Sequence, residues 1–292
     1  MRSPGGTNLK ARSLFAMDAS PIPMGVVGFN PMNASSYERK LDILQEAGNF
    51  DCVLLGGTGE KYADALEQRW VSGFRVIAAG YKHSIMSNKS CGVAIALGRK
   101  LRKAKLGLPR FLTGRLQGRG LAIRCQTPVV DVLLIVLYFP PVPHARAQYG
   151  VYTDACQQIA KWVAKVLDST PACCTPVLYA DLNDGMGIAL RGEHWQDVDT
   201  AVISQAAKRR ERIPGGAGSS LRPVLEQHDF ASASSWQDAR DTYYGSSGVS
   251  SLLDHAFIPS ALLAAVRSAG PLARMGRRLQ IIRRRGPADH LK

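Results

Sequence analysis

The chain has 292 residues, 46% of them hydrophobic and 21% charged, and 37 Lys and Arg against 23 Asp and Glu leave a formal charge of +14. That apolar fraction excludes disorder of the whole chain, and the length allows one large domain or two small ones with a sizeable core. A surface this positive attracts polyanions, so an acidic partner such as nucleic acid or an anionic membrane surface is the expected class.

Further classes fall away on residue spacing. The 6 cysteines contain no Cys-x-x-Cys pair, and the adjacent Cys173 and Cys174 are poorly placed for a disulfide, so a reducing compartment is the simpler reading. The histidines show no zinc-ligand spacing. The longest apolar run, Val132 to Val142, is about half of the ~20 residues that span a bilayer, so no membrane helix is expected. Residues 1–22 lack an apolar signal core, which argues against secretion, and they read as a disordered tail ahead of a domain covering 23–292.

In chain order, Met24 to Asn30 reads as a strand ending in a polar residue. Ser35 and Glu38 have capping-box spacing, and Tyr37, Leu41, Leu44 and Ala47 follow at helical period. Asp51 to Leu55 is a brief apolar strand stopped by Gly56 and Gly57. Further strands are expected at Phe74–Ala79, Gly92–Leu97, Leu121–Cys125 and Val132–Tyr138, the last apolar throughout, as in a sheet covered on both faces. A long helix is expected from about Ala147 to Leu167, with Val151, Ala155, Ile159, Trp162, Val163 and Val166 on one stripe. The strand Pro176–Ala180 then runs into Asp181-Leu-Asn183-Asp-Gly185, and polar residues directly after a buried strand stand at the rim of a sheet, where sites are usually built.

Residues 208–220 are rich in Gly and charge and read as a mobile loop within the domain. Beyond them come a helix around Pro223–Gln227, strands at Asp229–Ala231 and Leu252–Ile258, a short helix near Ala261–Val266, and a strand at Leu279–Ile282. Strands outnumber helices and arrive in runs broken by turns. The expected fold class is α/β in the α+β sense: two packed mixed β-sheets flanked by outer helices, a four-layer sandwich.

The polar residues at the strand ends are carboxylates, amides, a phenol and an imidazole, with no candidate thiol nucleophile. Phosphodiester hydrolysis needs such a set: hard oxygen ligands for Mg²⁺ or Mn²⁺, a group that orients water, and donors for the charge that builds on phosphoryl oxygens. Seven blocks occur in order: Gly28-Phe-Asn30, Leu54-Leu-Gly-Gly57, Gly92-Val-Ala-Ile95, Tyr138-Phe-Pro140, Ala180-Asp-Leu-Asn183, Ser251-Leu-Leu-Asp-His-Ala-Phe257 and Ala288-Asp-His290. In these the sequence resembles the endonuclease/exonuclease/phosphatase family, and most of all the endonuclease domains of non-long-terminal-repeat retrotransposons.

The resemblance implies a role for each residue. Asp181 would align or deprotonate the attacking water, Asn183 and Tyr138 would contact the scissile phosphate, and Asp254 would orient the imidazole of His290. Asp289 and Asn30 would belong to the metal environment. One block departs from the pattern: the family's metal-binding glutamate falls on Gly57. Either Glu60 reaches in as the replacement carboxylate, or the domain is a degenerate copy. The chain also stops at Lys292, two residues past His290, where the family normally adds one more strand, so a fragment or a truncated reading frame is an expectation.

The basic cluster Arg277, Arg278, Arg283, Arg284 and Arg285 adjoins Asp289 and His290, and it is read as a phosphate-backbone contact. His83, His144, His194 and His228 are read as surface or loop residues, and His255 as core packing. Trp70, Trp162, Trp195 and Trp236 are read as core or rim anchors, and the Cys173-Cys174 pair as buried thiols. The expected function is divalent-metal-dependent hydrolysis of phosphodiesters, with DNA the favoured nucleic acid. The alternatives are a family member that binds nucleic acid without cutting, or one that acts on a smaller phosphorylated substrate. A monomer is expected, and the nucleus is the compartment that the nuclease reading implies.

Overall fold

Long apolar runs and short two-residue pairings share the work of building this molecule. The computed structural model describes residues 24–29, 34–47, 50–61, 66–81, 91–186, 213–233, 243–244, 250–251 and 253–267. The tail 1–22, residues 208–212, the strand expected at Leu279–Ile282, Asn30, Asp289, His290, the arginines 277–285, His83, His194, Trp195 and Trp236 lie outside the described residues.

The first sheet contains β1 (Val26–Phe29), β2 (Cys52–Gly56), β3 (Glu67–Val71), β4 (Phe74–Ala79) and β5 (Val93–Leu97), in the order β1-β2-β5-β4-β3. β1 runs parallel to β2, and the other pairs are antiparallel. Helix α1 (Ala34–Ala47) connects β1 to β2 as a crossover and buries Leu41 and Leu44 against Val53, Leu55, Val76 and Ala94. Ser35 sits inside the first helical turn rather than ahead of it, so it does not hold the cap position.

The second sheet has seven strands: β6 (Lys105–Leu106), β7 (Arg110–Phe111), β8 (Gly120–Gln126), β9 (Asp131–Tyr138), β10 (Thr175–Asp181), β11 (Phe230–Ser232) and β14 (Asp254–Pro259). Its order is β11-β14-β10-β9-β8-β6, with β7 also pairing β8. A separate two-stranded ribbon joins β12 (Tyr243–Tyr244) to β13 (Ser250–Ser251). Outside the second sheet lie α2 (Tyr149–Asp168) and α3 (Ala217–Gln227), packed on each other and on Leu133, Ile135, Leu137 and Phe257. Between the sheets, Cys52, Leu54, Ile95 and Leu97 meet Leu121, Ile123, Leu134 and Val136. The layers are therefore helix, sheet, sheet and helices, as expected.

Some expectations need correction. Residues 217–220 are not loop: they form the first turn of α3, and Ala217 and Gly218 are buried. A Cβ at Gly218 would stand 2.2 Å from the Gly185 carbonyl, so the glycine there serves close packing rather than mobility. Trp70 is 62% exposed because β3 is the edge of its sheet. Val151, placed on the apolar stripe of α2, is 45% exposed. Cys174 is buried, but Cys173 is exposed in the turn before β10, near Arg124 (3.8 Å) and Asp131 (3.7 Å). His255 packs in the core as expected, its ring 5.6 Å from that of Phe257 and nearly parallel to it. Within the basic run 99–105, Lys100 turns inward to pair with buried Asp51 at 3.1 Å.

Candidate active site

Register builds the site. β9 and β10 are parallel and bring Asp181 opposite Tyr138, while β10 and β14 are antiparallel and bring Asp254 opposite Asp181. On the other side, the Tyr138 amide donates to the Arg119 carbonyl at 2.9 Å, which continues the β8–β9 ladder by one rung. Four residues spread over the chain, Arg119, Tyr138, Asp181 and Asp254, thus form one transverse row at the end of the second sheet. Cross-strand partners share a face. Tyr138 packs with the core between the sheets, so the row looks toward the first sheet.

Each member of the row is held. Asp181 is fully buried; the Asn183 amide donates to its Oδ1 at 3.2 Å, and its own carbonyl accepts from Phe139 N at 2.9 Å. Asn183 adopts a left-handed backbone with φ +52, a conformation asparagine tolerates, and its Nδ2 donates to the Phe139 carbonyl at 2.9 Å. Its side chain also lies within hydrogen-bonding reach of Tyr138. The following loop is anchored from behind, where the Tyr152 hydroxyl of α2 donates to buried Asp184 at 3.2 Å.

Tyr138 is 2% exposed. Burial, and then the negative charge of Asp181, push its phenol up to about 12, against the opposing influence of Arg119 and Asn183. Arg119 is itself buried, and its guanidinium lies over the Tyr138 ring, 4.9 Å from the centroid. Reading the residues one by one missed Arg119, because Gln117-Gly-Arg-Gly120 has the composition of a turn. The signal that could have found it is position: it stands one rung outside a buried strand, opposite a residue already singled out.

Tyr179 lies two residues before Asp181, within the core between the sheets, and its hydroxyl donates to Asp254 Oδ1 at 2.5 Å. Burial and the carboxylates of Asp254 and Asp181 hold that phenol well above its ordinary range. Its ring fits because residue 28 of the opposite sheet is glycine, whereas a side chain at residue 56 would be in ordinary contact with it. A Cβ at Gly28 would stand 2.2 Å from the ring, and one at Gly56 would stand 3.5 Å from both the ring and Asp181 Cβ.

The segment where the motif lacks its carboxylate is equally constrained. Gly57 and Gly59 have φ of +77 and +73, and the amides of Gly57 and Thr58 both donate to the Gly92 carbonyl at 2.9 Å. Glu60 is buried, and its carboxylate forms an ion pair with Arg69 of β3. The residue whose side chain would aim at Asp181 is Gly56 rather than Gly57.

These positions bear on a metal ion. Asp254 accepts the Tyr179 hydroxyl, Glu60 is matched by Arg69, and Gly56 and Gly57 supply no ligand. Among the described residues no three His, Cys, Asp or Glu side chains form a metal-holding group. The described residues alone do not fit Mg²⁺, which uses one or two carboxylates in a near-octahedral shell. Asn30, Asp289 and His290, the other expected members of the site, lie outside the described residues.

No family model and no curated protein matches the sequence, so its likeness to other proteins is one of structure. A 3' phosphatase from Neisseria bound to a product DNA hairpin is similar at 13% identity, over 92% of this chain and 97% of that one, with a TM-score of 0.60. An AP endonuclease from Archaeoglobus fulgidus is similar at 14% identity, over 92% and 97%, with a TM-score of 0.58. The endonuclease domain of TRAS1, a telomere-specific non-LTR retrotransposon, superposes less closely: 13% identity, 83% and 88% coverage, TM-score 0.48. The fold is the one that the ordered motifs implied. Among the described residues no helix is long and apolar enough to cross a membrane.

Proposed function

We propose that the chain is a phosphodiester hydrolase that acts on nucleic acid, with DNA the favoured substrate and endonucleolytic nicking the favoured reaction. The observation that carries this reading is the transverse row Arg119, Tyr138, Asp181 and Asp254. Hydrolysis of a phosphodiester needs a base or acceptor for water beside donors for the phosphoryl oxygens. Asp181 supplies the acceptor: buried and fixed by Asn183, it orients a water for in-line attack. Tyr138 supplies a donor, because a phenol raised to about 12 keeps its proton at neutral pH. Asn183 adds an amide, and Arg119 places a fixed positive charge behind the phenol where negative charge accumulates.

Asp254, pinned by Tyr179, would orient His290, and Asp289 and Asn30 would hold a divalent ion. These roles come from the motif resemblance. The formal charge of +14 supports a polyanionic substrate. One of the structural neighbours is bound to a DNA hairpin. The arginines 277, 278, 283, 284 and 285 would contact the backbone.

Nicking of supercoiled plasmid by the full chain in Mg²⁺ or Mn²⁺ tests the reading, with Asp181→Ala as the control. Nicking that survives this substitution overturns the site. A second reading, binding without cutting, is favoured by one observation: Gly56 and Gly57 carry no ligand while Glu60 is paired with Arg69. No nicking by the wild type, together with nicking by Gly56→Glu, would establish that reading. Gly57→Glu is the poorer probe, since φ +77 strains any side chain there.

A further inference from the structure

The transverse row does not end at Arg119. Backbone hydrogen bonds carry it across to the first sheet: the Gly92 amide donates to the Gly118 carbonyl at 2.9 Å, and the Gly92 carbonyl takes the amides of Gly57 and Thr58. The approach is close because residue 92 is glycine, where a Cβ would lie 2.4 Å from the Thr58 hydroxyl and 3.3 Å from the Glu60 amide nitrogen. The loop held in this way leaves β2 at Gly56, where a Cβ would stand 3.5 Å from Asp181 Cβ, and it runs out to Lys61. One end of the loop is therefore set beside the catalytic carboxylate, and its middle is tied through Gly92 to the turn that carries Arg119.

Lys61 is exposed, and its Nζ lies 5.9 Å from the centroid of the Tyr81 ring. Tyr81 is buried, and its amide donates to the Glu60 carbonyl at 3.2 Å. Gly56 pairs with Val93 and Val93 with Ala79, so Tyr81, two residues past Ala79, stands at the same end of the molecule as the row. Burial, and then Cys91, hold the Tyr81 phenol above its ordinary range while Arg119 opposes them, so the guanidinium acts on two phenols, Tyr138 and Tyr81. Among the described residues no carboxylate pairs with Lys61, and Glu60 beside it is paired with Arg69.

A lysine ammonium is a compact point charge suited to a phosphate. Three interchain steps separate the Lys61 loop from Tyr138, each about one strand spacing of ~4.8 Å, so the separation is at most roughly 15 Å. Lys61 is thus too distant to share the phosphate that Tyr138 and Asn183 would hold, yet it lies on the path of a polymer crossing from the second sheet to the first. A small phosphate ester has no second anion to place there. We infer that Lys61, seated on Tyr81, binds a backbone phosphate flanking the scissile one, and so selects a polynucleotide over a small phosphorylated substrate. The inference rests on the phosphodiesterase reading above and chooses among its substrate classes.

The test compares wild type, Lys61→Gln and Lys61→Arg in two measurements on the full chain. One is the anisotropy of a short fluorescent DNA duplex in EDTA at several salt concentrations. The other is hydrolysis in Mn²⁺ of that duplex against bis(p-nitrophenyl) phosphate, a lone diester. Lys61→Gln should lower the log-log salt slope by about one. It should also lower the ratio of kcat/KM for duplex to that for the lone diester about ten-fold, through KM rather than kcat, and Lys61→Arg should restore most of both. An unchanged salt slope, or a loss that falls equally on the two substrates, overturns the inference and leaves the phosphodiesterase reading standing. Hydrolysis of the lone diester by a wild type that does not bind duplex overturns it in favour of a small phosphate ester. If neither substrate is cut, the phosphodiesterase reading falls and the salt slope alone decides whether Lys61 meets a phosphate. Failure to bind or cut any of them overturns both.

Discussion

Gly28→Ala would put a methyl group where the Tyr179 ring already stands. The added carbon would lie 2.2, 2.5 and 2.7 Å from three ring atoms. Nonbonded carbons settle at about 3.5–4.0 Å, so ring or strand must move by about 1–1.5 Å. The ring is held in place by its hydroxyl, which is tied to Asp254 at 2.5 Å. Overpacking of this kind costs about 3 kcal/mol, and relief must come from separating β1 from the second sheet. Tyr179→Leu empties the contested space, so in that background Gly28→Ala should cost under about 1 kcal/mol, a coupling of about 2 kcal/mol. Urea unfolding of the four proteins in the cycle measures it. A coupling below about 0.5 kcal/mol would refute the claim that these two residues contend for one space.

Three other expectations follow from the site and its surroundings. Arg119→Met keeps the bulk and removes the charge over Tyr138, and nicking should fall about 100-fold; an unchanged rate would show that the guanidinium is not felt at the phosphate. Tyr138 has its phenol at about 12, above the ordinary value of 10, so its contribution to stability is complete below pH 10 and is lost as pH climbs toward 12. Nicking should accordingly show no Tyr138-dependent fall below pH 10, and a lower-pH fall that vanishes in Tyr138→Phe would contradict the assignment. The Asp131 carboxyl is held down at about 2, chiefly by its hydrogen bond from Arg124. Its stabilisation is therefore present above about pH 4 and lost as pH falls to 2, and the urea midpoint of Asp131→Asn should lack that part of the acid slope that the wild type shows.

The strands were legible where burial on both faces leaves a continuous apolar run, as in Phe74–Ala79 and Asp131–Tyr138. β3 was not: Glu67-Gln-Arg-Trp-Val71 is an edge strand, so its composition answers to solvent and to Glu60 rather than to a core. β6 and β7 are two residues each, too short for any period. The first turn of α3 hid behind Gly, Ala and Ser, of which Gly218 lies in close approach to Gly185 and Met186. In the site, Tyr138, Asp181 and Asp254 were readable because each is a polar residue where an apolar strand starts or stops. Arg119 and Tyr179 were not, because their meaning comes from neighbours 19 and 75 positions away.

The order in which the row is assembled has a consequence for synthesis. β14 pairs with β10 and stands between it and β11, yet it follows the end of β10 by some 70 residues of chain. At roughly 5–20 residues per second, a ribosome leaves the open side of β10 unpaired for several seconds after Asp181 has emerged. During that interval the nascent chain presents a bare strand edge whose last residue is a carboxylate. An unpaired apolar edge invites pairing with another chain, and a charge placed on it discourages that. Asp181 therefore guards the growing sheet against its neighbours on the polysome before Asp254 comes to stand beside it.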